Sequence, residues 1–249
     1  MGMEGPIEEA RQPEAPQPRP RVRLPSYSVT VTYGLLILNG VVFLIDTLLN
    51  GRLTALGALL PALVGIYGEW WRLIAAGFLH AGLFHVGFNL YALYNLGQLL
   101  ERFYGPVRTS IIYGLSLIGS SALVLLLSSP EIPTVGASGA IIGMLGGLLA
   151  FYWRYRDALV GGRNYLNQLI QMALINIGIG LLPGISMWGH AGGFLAGLGA
   201  GWALRPRYRY ELGVRLRERP LPPRSKLEVL GIFALELAII AFALGWRFR

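Results

Sequence analysis

The chain has 249 residues, 54% of them hydrophobic and only 14% charged, with a net charge of +8 and a mean hydropathy of +0.53. Soluble domains carry roughly 25% charged residues, so this composition marks an integral membrane protein. The chain contains no cysteine, which excludes disulfides, Cys-ligated metal sites and a thiol nucleophile; its basic residues fall in the loops between apolar runs, an arrangement that argues against a nucleic-acid partner.

Residues 1–28 read as a disordered cytoplasmic tail. The first 26 hold six prolines, four arginines and four glutamates with no apolar core, and no cleavable signal sequence is visible among them. Beyond the tail, charge-poor runs predict seven spans, since a helix needs about 20 apolar residues to cross the hydrocarbon. In chain order they are about Tyr33–Leu49, Ala81–Leu100, Thr109–Ser128, Ser138–Tyr155, Tyr165–Leu182, Gly189–Leu204 and Leu227–Trp246. The uncharged run from Asn164 to Leu204 is too long for one crossing, and Pro183-Gly184 divides it. Residues 51–79 are also apolar but carry Pro61, Glu69 and Arg72. They read as an outer loop, partly inserted and anchored at headgroup level by Tyr67, Trp70 and Trp71. The resulting organisation is a tail (1–28), a six-span core (29–204), a basic cytoplasmic linker (205–226) and a seventh helix (227–249).

Orientation follows from the charges. With the amino terminus inside, seventeen Lys and Arg fall in inner segments and four in outer ones. The even-numbered spans then all run from outside inward, so the starts of spans two, four and six share one level near the outer face. Those starts carry His85 and Asn89, Ser138, and His190. Polar groups far apart in sequence are thereby expected at one shallow depth.

A serine and a histidine are the minimum pair for a hydroxyl nucleophile with its base, and ionisable groups inside spans point to function. On the sixth span Gly193, Gly197 and Gly201 fall on the same side as His190, and the fourth span has a thin side at Gly139, Gly143, Gly146 and Gly147. Packing these two faces together would bring Ser138 and His190 within reach of each other. Acyl transfer also needs donors for an oxyanion; His85 and Asn89, spaced i, i+4 on one side of the second span, and the Ser138 backbone N–H are the candidates. A metal held by His80, His85 and His190 is the competing reading, weakened because no carboxylate lies in the outer halves of those spans. With no Asp or Glu in the fourth or sixth span, a Ser–His dyad is expected, with no acidic third member.

The segments His80-x4-His85-x3-Asn89, Gly136-Ala137-Ser138-Gly139 and Gly189-His190-Ala191-Gly192-Gly193 resemble those of the rhomboid intramembrane serine proteases. Trp71-Arg72 and Glu101-Arg102 are similar to family features as well, and the likeness runs from about residue 30 to 204. It implies an all-α membrane protein, a six-helix transmembrane bundle plus one extra C-terminal helix. It implies Ser138 as nucleophile, His190 as base, His85, Asn89 and the Ser138 amide as the oxyanion site, and His80 in a supporting role. Some relatives stack an aromatic, one turn after the serine, on the catalytic histidine. Ile142 occupies that place here, so the orientation of His190 falls to Trp188 or to packing.

The expected activity is hydrolysis of a peptide bond in or near the membrane segment of a transmembrane protein substrate, in the lipid bilayer, without cofactor or metal. A bacterial inner membrane is the expected home, because the tail is acidic as well as basic. A catalytically inactive binding or trafficking factor on the same scaffold is the alternative. A transporter would show paired broken helices or internal repeats, of which only Pro183-Gly184 gives a hint. Glu236, near the middle of the seventh span, is expected to hydrogen-bond a neighbouring helix or join a buried polar pair. Asn39, Asn95, Gln98 and Asn176 are expected to bond between helices.

Overall fold

The structure, a computed structural model, describes residues 26–182, 184–211, 215–219 and 222–248. All but the last three residues of the expected tail, and Pro183 of the expected break, lie outside them. The seven predicted spans appear as helices: α1 (Val31–Leu48), α5 (Leu83–Tyr104), α6 (Pro106–Leu127), α7 (Ser138–Tyr155), α8 (Gly162–Ile179), α9 (Met187–Leu204) and α10 (Pro223–Arg247). By length and apolarity alone, α1, α6 and α10 pass as membrane-crossing. A bent pair, Arg72–Phe78 with Leu83–Tyr104, passes as one broken unit at 89°. Glycines that serve helix contact dilute the apolarity of α7 and α9, and Asn and Gln dilute that of α8. The protein is thus an integral, multi-pass, all-helical membrane bundle.

The bundle is built around α7, whose residues from Gly139 to Gly147 are all buried. Glycine is what lets α9 press on it. A Cβ added at Gly193 would stand 2.0 Å from the Gly139 oxygen, and one at Gly197 would stand 2.0 Å from the Gly143 oxygen. The same glycines also admit α6: a Cβ at Gly139 or Gly143 would meet Ser120 or Ser116. The Tyr104 hydroxyl lies 2.9 Å from the Gly147 oxygen and 3.0 Å from the Gly201 oxygen, tying α5 across both glycine faces.

Glu101 at the end of α5 caps α1. Its carboxylate accepts from the backbone N–H groups of Thr30, Val31 and Thr32, each at 2.8 Å. These are orphan donors of a helix start, which no residue on α1 itself satisfies.

The outer segment 51–79 is helical where a loop was expected: α2 (Arg52–Gly57), α3 (Pro61–Tyr67), α4 (Arg72–Ala75) and a 3₁₀ turn (Ala76–Phe78). Long-range bonds hold these short pieces, which are too brief to persist alone. Buried Arg72 pairs with Glu69 at 2.5 Å and donates to the Ala58 oxygen at 2.8 Å. The Trp71 indole donates to the Leu56 oxygen at 2.9 Å, and the Asp46 carboxylate accepts from the Leu53 N–H at 2.8 Å.

A second element was not anticipated. The expected linker contains an antiparallel ribbon, β1 (Arg207–Glu211) with β2 (Arg215–Arg219). Glu236 also differs from expectation. It is 4% exposed, close to Gly119, and neither carboxyl oxygen has a hydrogen-bond partner among the described residues. The Asn39, Asn95 and Asn176 amides each donate to the carbonyl four residues back on their own helix, and Gln98 accepts from Arg102 on its own helix.

Candidate active site

The loop into α7 fixes where Ser138 stands. Leu59 and Thr134 exchange backbone hydrogen bonds at 3.0 and 2.9 Å, and Gly136 donates to the Ala76 oxygen at 2.9 Å. The outer segment is thus stitched to the chain directly before the serine. Gly136 has φ +126, a region that L side chains avoid. A Cβ there would stand 2.8 Å from His85 Nε2 and 3.7 Å from Ser138 Oγ. Glycine therefore lets the His85 ring enter beside the serine.

Ser138 is the first residue of α7 and is half-buried. Its N–H belongs to the first turn, where the helix supplies no acceptor. His190 sits in the first turn of α9, whose N-cap Ser186 accepts from the Gly189 N–H at 3.1 Å. The glycine contacts align the two helix starts, and His190 Nε2 lies 3.1 Å from Ser138 Oγ.

The partners of the other ring nitrogens define the tautomers. His190 Nδ1 lies 3.1 Å from the Asn176 backbone oxygen. A carbonyl only accepts, so Nδ1 carries the proton and Nε2 presents its lone pair to the serine hydroxyl. His85 shows the converse. Its Nδ1 accepts from the Ala81 N–H at 3.3 Å, so Nε2 carries the proton beside Gly136.

Of the sequence-predicted residues, Ser138 and His190 are in direct contact and His85 borders the same space. His80 packs edge-on against His85, ring centroids 5.2 Å apart, and is buried. Asn89 is also buried, but its amide donates to the His85 backbone oxygen at 2.8 Å, leaving one N–H for any other acceptor. Neither Trp188 nor packing alone orients His190. Trp188 packs with a separate cluster around Leu125 and Ala243, and the Asn176 carbonyl supplies the missing restraint. No sequence signal marks a backbone carbonyl. Among the described residues, no group of three or more His, Asp or Glu side chains could hold a metal. A cavity of about 540 Å³ between α5 and α8, lined in part by Asn95, Gln98, Arg102 and Gln168, opens toward the far ends of those helices from Ser138.

A family model, Rhomboid domain, matches residues 67–207. RHOMBOID-like protein 4 of Arabidopsis thaliana is 32% identical over 189 residues, which cover 71% of this chain and 45% of that protein. Rhomboid protease GluP of Bacillus subtilis (strain 168) is 36% identical over 182 residues, covering 70% of this chain and 35% of that protein. Inactive RHOMBOID-like protein 8 of Arabidopsis thaliana is 33% identical over 132 residues, covering 51% of this chain and 36% of that protein. The chain spans less than half the length of each of these three relatives.

Proposed function

This chain belongs to the rhomboid family, and from that premise we propose that it is a serine endopeptidase. It cuts a peptide bond in or near the membrane segment of a transmembrane protein substrate. The observation that carries the reading is the 3.1 Å contact between His190 Nε2 and Ser138 Oγ, with the opposite ring nitrogen committed as a donor.

In this reading Ser138 Oγ attacks the scissile carbonyl carbon while His190 Nε2 takes the hydroxyl proton. The carbonyl oxygen becomes an oxyanion, met by the Ser138 N–H, the His85 Nε2–H and the remaining Asn89 N–H. Each such donor is worth roughly 3–4 kcal/mol in comparable enzymes. His80 supports the His85 ring. The protonated His190 then passes its proton to the departing amine, and water attacks the acyl-enzyme through the same base. Because a helix hides its carbonyls in internal hydrogen bonds, the substrate must unwind at the cut, which favours small or helix-breaking residues there.

We place the chain in a bacterial inner membrane, on a tail that is acidic as well as basic, with the amino-terminal side inside, on the seventeen-to-four bias of basic residues. The site then lies near the outer face. The alternative, an inactive family member such as one relative's name denotes, is disfavoured because serine and histidine are both present in bonding geometry. A fluorophosphonate probe on the detergent-solubilised chain separates the two. The native protein should label and Ser138→Ala should not; equal labelling of both removes the enzyme reading.

A further inference from the structure

The seventh helix, α10, lies wholly beyond the residues 67–207 that the family model matches, and no step of the reaction calls on it. Its end nevertheless reaches the chain that leads into Ser138. Arg247 stands in the last turn of α10. Its Nη1 donates to the Leu125 oxygen at 2.9 Å, and its Nη2 donates to the Ser128 oxygen. α6 ends at Leu127, and the last four carbonyls of a helix have no partner within it. The negative end of the helix dipole lies there too, and a guanidinium suits it in charge and in its paired donors. Ser128 is where the chain leaves α6 for the loop 129–137, which runs into Ser138. Arg247 thus fixes the root of that loop.

Phe248, the next residue, acts on the segment to which the loop is bonded. A Cβ added at Gly65 would fall against the Phe248 ring, so the ring rests directly on the α3 backbone. One turn earlier on α3, the Ala62 N–H donates to the Pro130 oxygen at 3.0 Å. Phe248 also packs against the cluster that contains Leu59, Val64 and Ala76, which Trp188 joins from two residues before His190. Leu59 and Ala76 are the residues bonded to Thr134 and Gly136. The loop contains no helix and a single bridge at Thr134, so its course depends on these bonds. Two consecutive side chains of α10 therefore secure the start of the loop and the partners of its remainder.

We propose that Arg247 and Phe248 are positioning residues for the nucleophile. They act through the loop 129–137, which they hold so that Ser138 Oγ stays within reach of His190 Nε2. The consequence for turnover rests on the protease reading, whereas the hold on the loop is independent of it.

Amide hydrogen exchange of the full chain in detergent reads the hold directly. In Arg247→Gln, exchange across 129–137 should quicken by about tenfold or more, because bonds from a charged donor outweigh neutral ones. Helices α5 and α8 should keep the parent's protection. Arg247→Lys retains the charge but not the paired donors, and should fall between the two. Lys226→Gln removes a charge from the other end of α10 and should match the parent. With a transmembrane peptide, Arg247→Gln should lose about tenfold or more in kcat while KM stays within about twofold, as a displaced reacting group requires. A helix that merely adds stability would lower the melting temperature and leave both constants of the folded chain unchanged. Parent-like exchange across 129–137 in a folded Arg247→Gln chain overturns the proposal, as does quickening spread evenly over the bundle. Phe248→Ala leaves both carbonyl bonds in place and carries the same expectation, so it decides the matter where the Gln variant fails to fold. Quickened exchange at 129–137 in a chain whose parent does not label with a fluorophosphonate supports the hold and removes the protease reading instead.

Discussion

Gly193→Ala tests the glycine seam by adding a single carbon. The new Cβ would lie 2.0 Å from the Gly139 oxygen, 2.6 Å from its carbonyl carbon and 3.0 Å from its Cα. All three are backbone atoms, so no side-chain rotation relieves the clash. Comfortable carbon contacts begin near about 3.5 Å, and α9 must therefore retreat from α7 by about 1 Å or more. Gly193 is one turn from His190, and Gly139 adjoins Ser138. The 3.1 Å bond between them would stretch to about 4 Å, outside hydrogen-bond range. A misplacement of about 1 Å is enough to cost about 100-fold in rate, whereas overpacking costs about 1–3 kcal/mol of stability. Gly201→Ala is the control. Its Cβ would meet the Gly147 Cα at 2.5 Å, but about three turns from His190. Both variants should melt earlier in detergent, while fluorophosphonate labelling and turnover of a transmembrane peptide should fall steeply only for Gly193→Ala. A folded Gly193→Ala protein within about threefold of the parent rate, against that 100-fold expectation, would refute the seam as the device that aligns the pair. Equal rate losses in both variants would do the same.

Gly136→Ala should lower labelling by about tenfold or more, because a Cβ 2.8 Å from His85 Nε2 expels that ring and the strained φ adds about 1–3 kcal/mol; parent-like labelling would separate His85 from the site. Glu101→Gln should melt earlier, because three N–H groups of α1 lose a charged acceptor and a poorly satisfied buried donor costs about 1–3 kcal/mol. Its labelling rate should stay within about twofold of the parent, since the cap lies at the opposite end of α5 from His85. An unchanged melting temperature would mean that water replaces the carboxylate without loss.

What the sequence disclosed depended on period and spacing. The helix start at Ser138 was legible, and so was the four-residue recurrence of glycine from 193 to 201, because close helix contact leaves no alternative to glycine there. Folding of 51–79 was hidden, because its short helices persist through partners distant in sequence, Arg72 on the Ala58 carbonyl and Asp46 on the Leu53 N–H. The ribbon did leave a signal. Arg-Tyr-Arg-Tyr-Glu and Arg-Leu-Arg-Glu-Arg alternate with a period of two, but the density of charge favoured a solvated linker. The amides misled for a physical reason. Asn39, Asn95 and Asn176 lie where a carbonyl one turn back is always available, so bonding within the helix needs no partner span.

The Asn176 carbonyl bears on how a dyad manages without an acid. In a triad, the carboxylate fixes the histidine tautomer and stabilises the imidazolium formed during attack. The carbonyl at 3.1 Å fixes the tautomer equally well. It carries no full charge, but it belongs to the last turn of α8, where the Gly180 N–H also reaches it at 3.2 Å. The carbonyls of a helix end together act as a partial negative charge, and a histidine cation held there gains up to about 2 kcal/mol in partly buried geometry. A carboxylate brought into the bundle would pay a desolvation penalty of several kcal/mol before contributing anything. In a membrane interior, a helix terminus is therefore the less costly source of negative potential. It also makes the orientation of His190 depend on where the end of α8 stands, coupling the base to a helix that carries neither Ser138 nor His190.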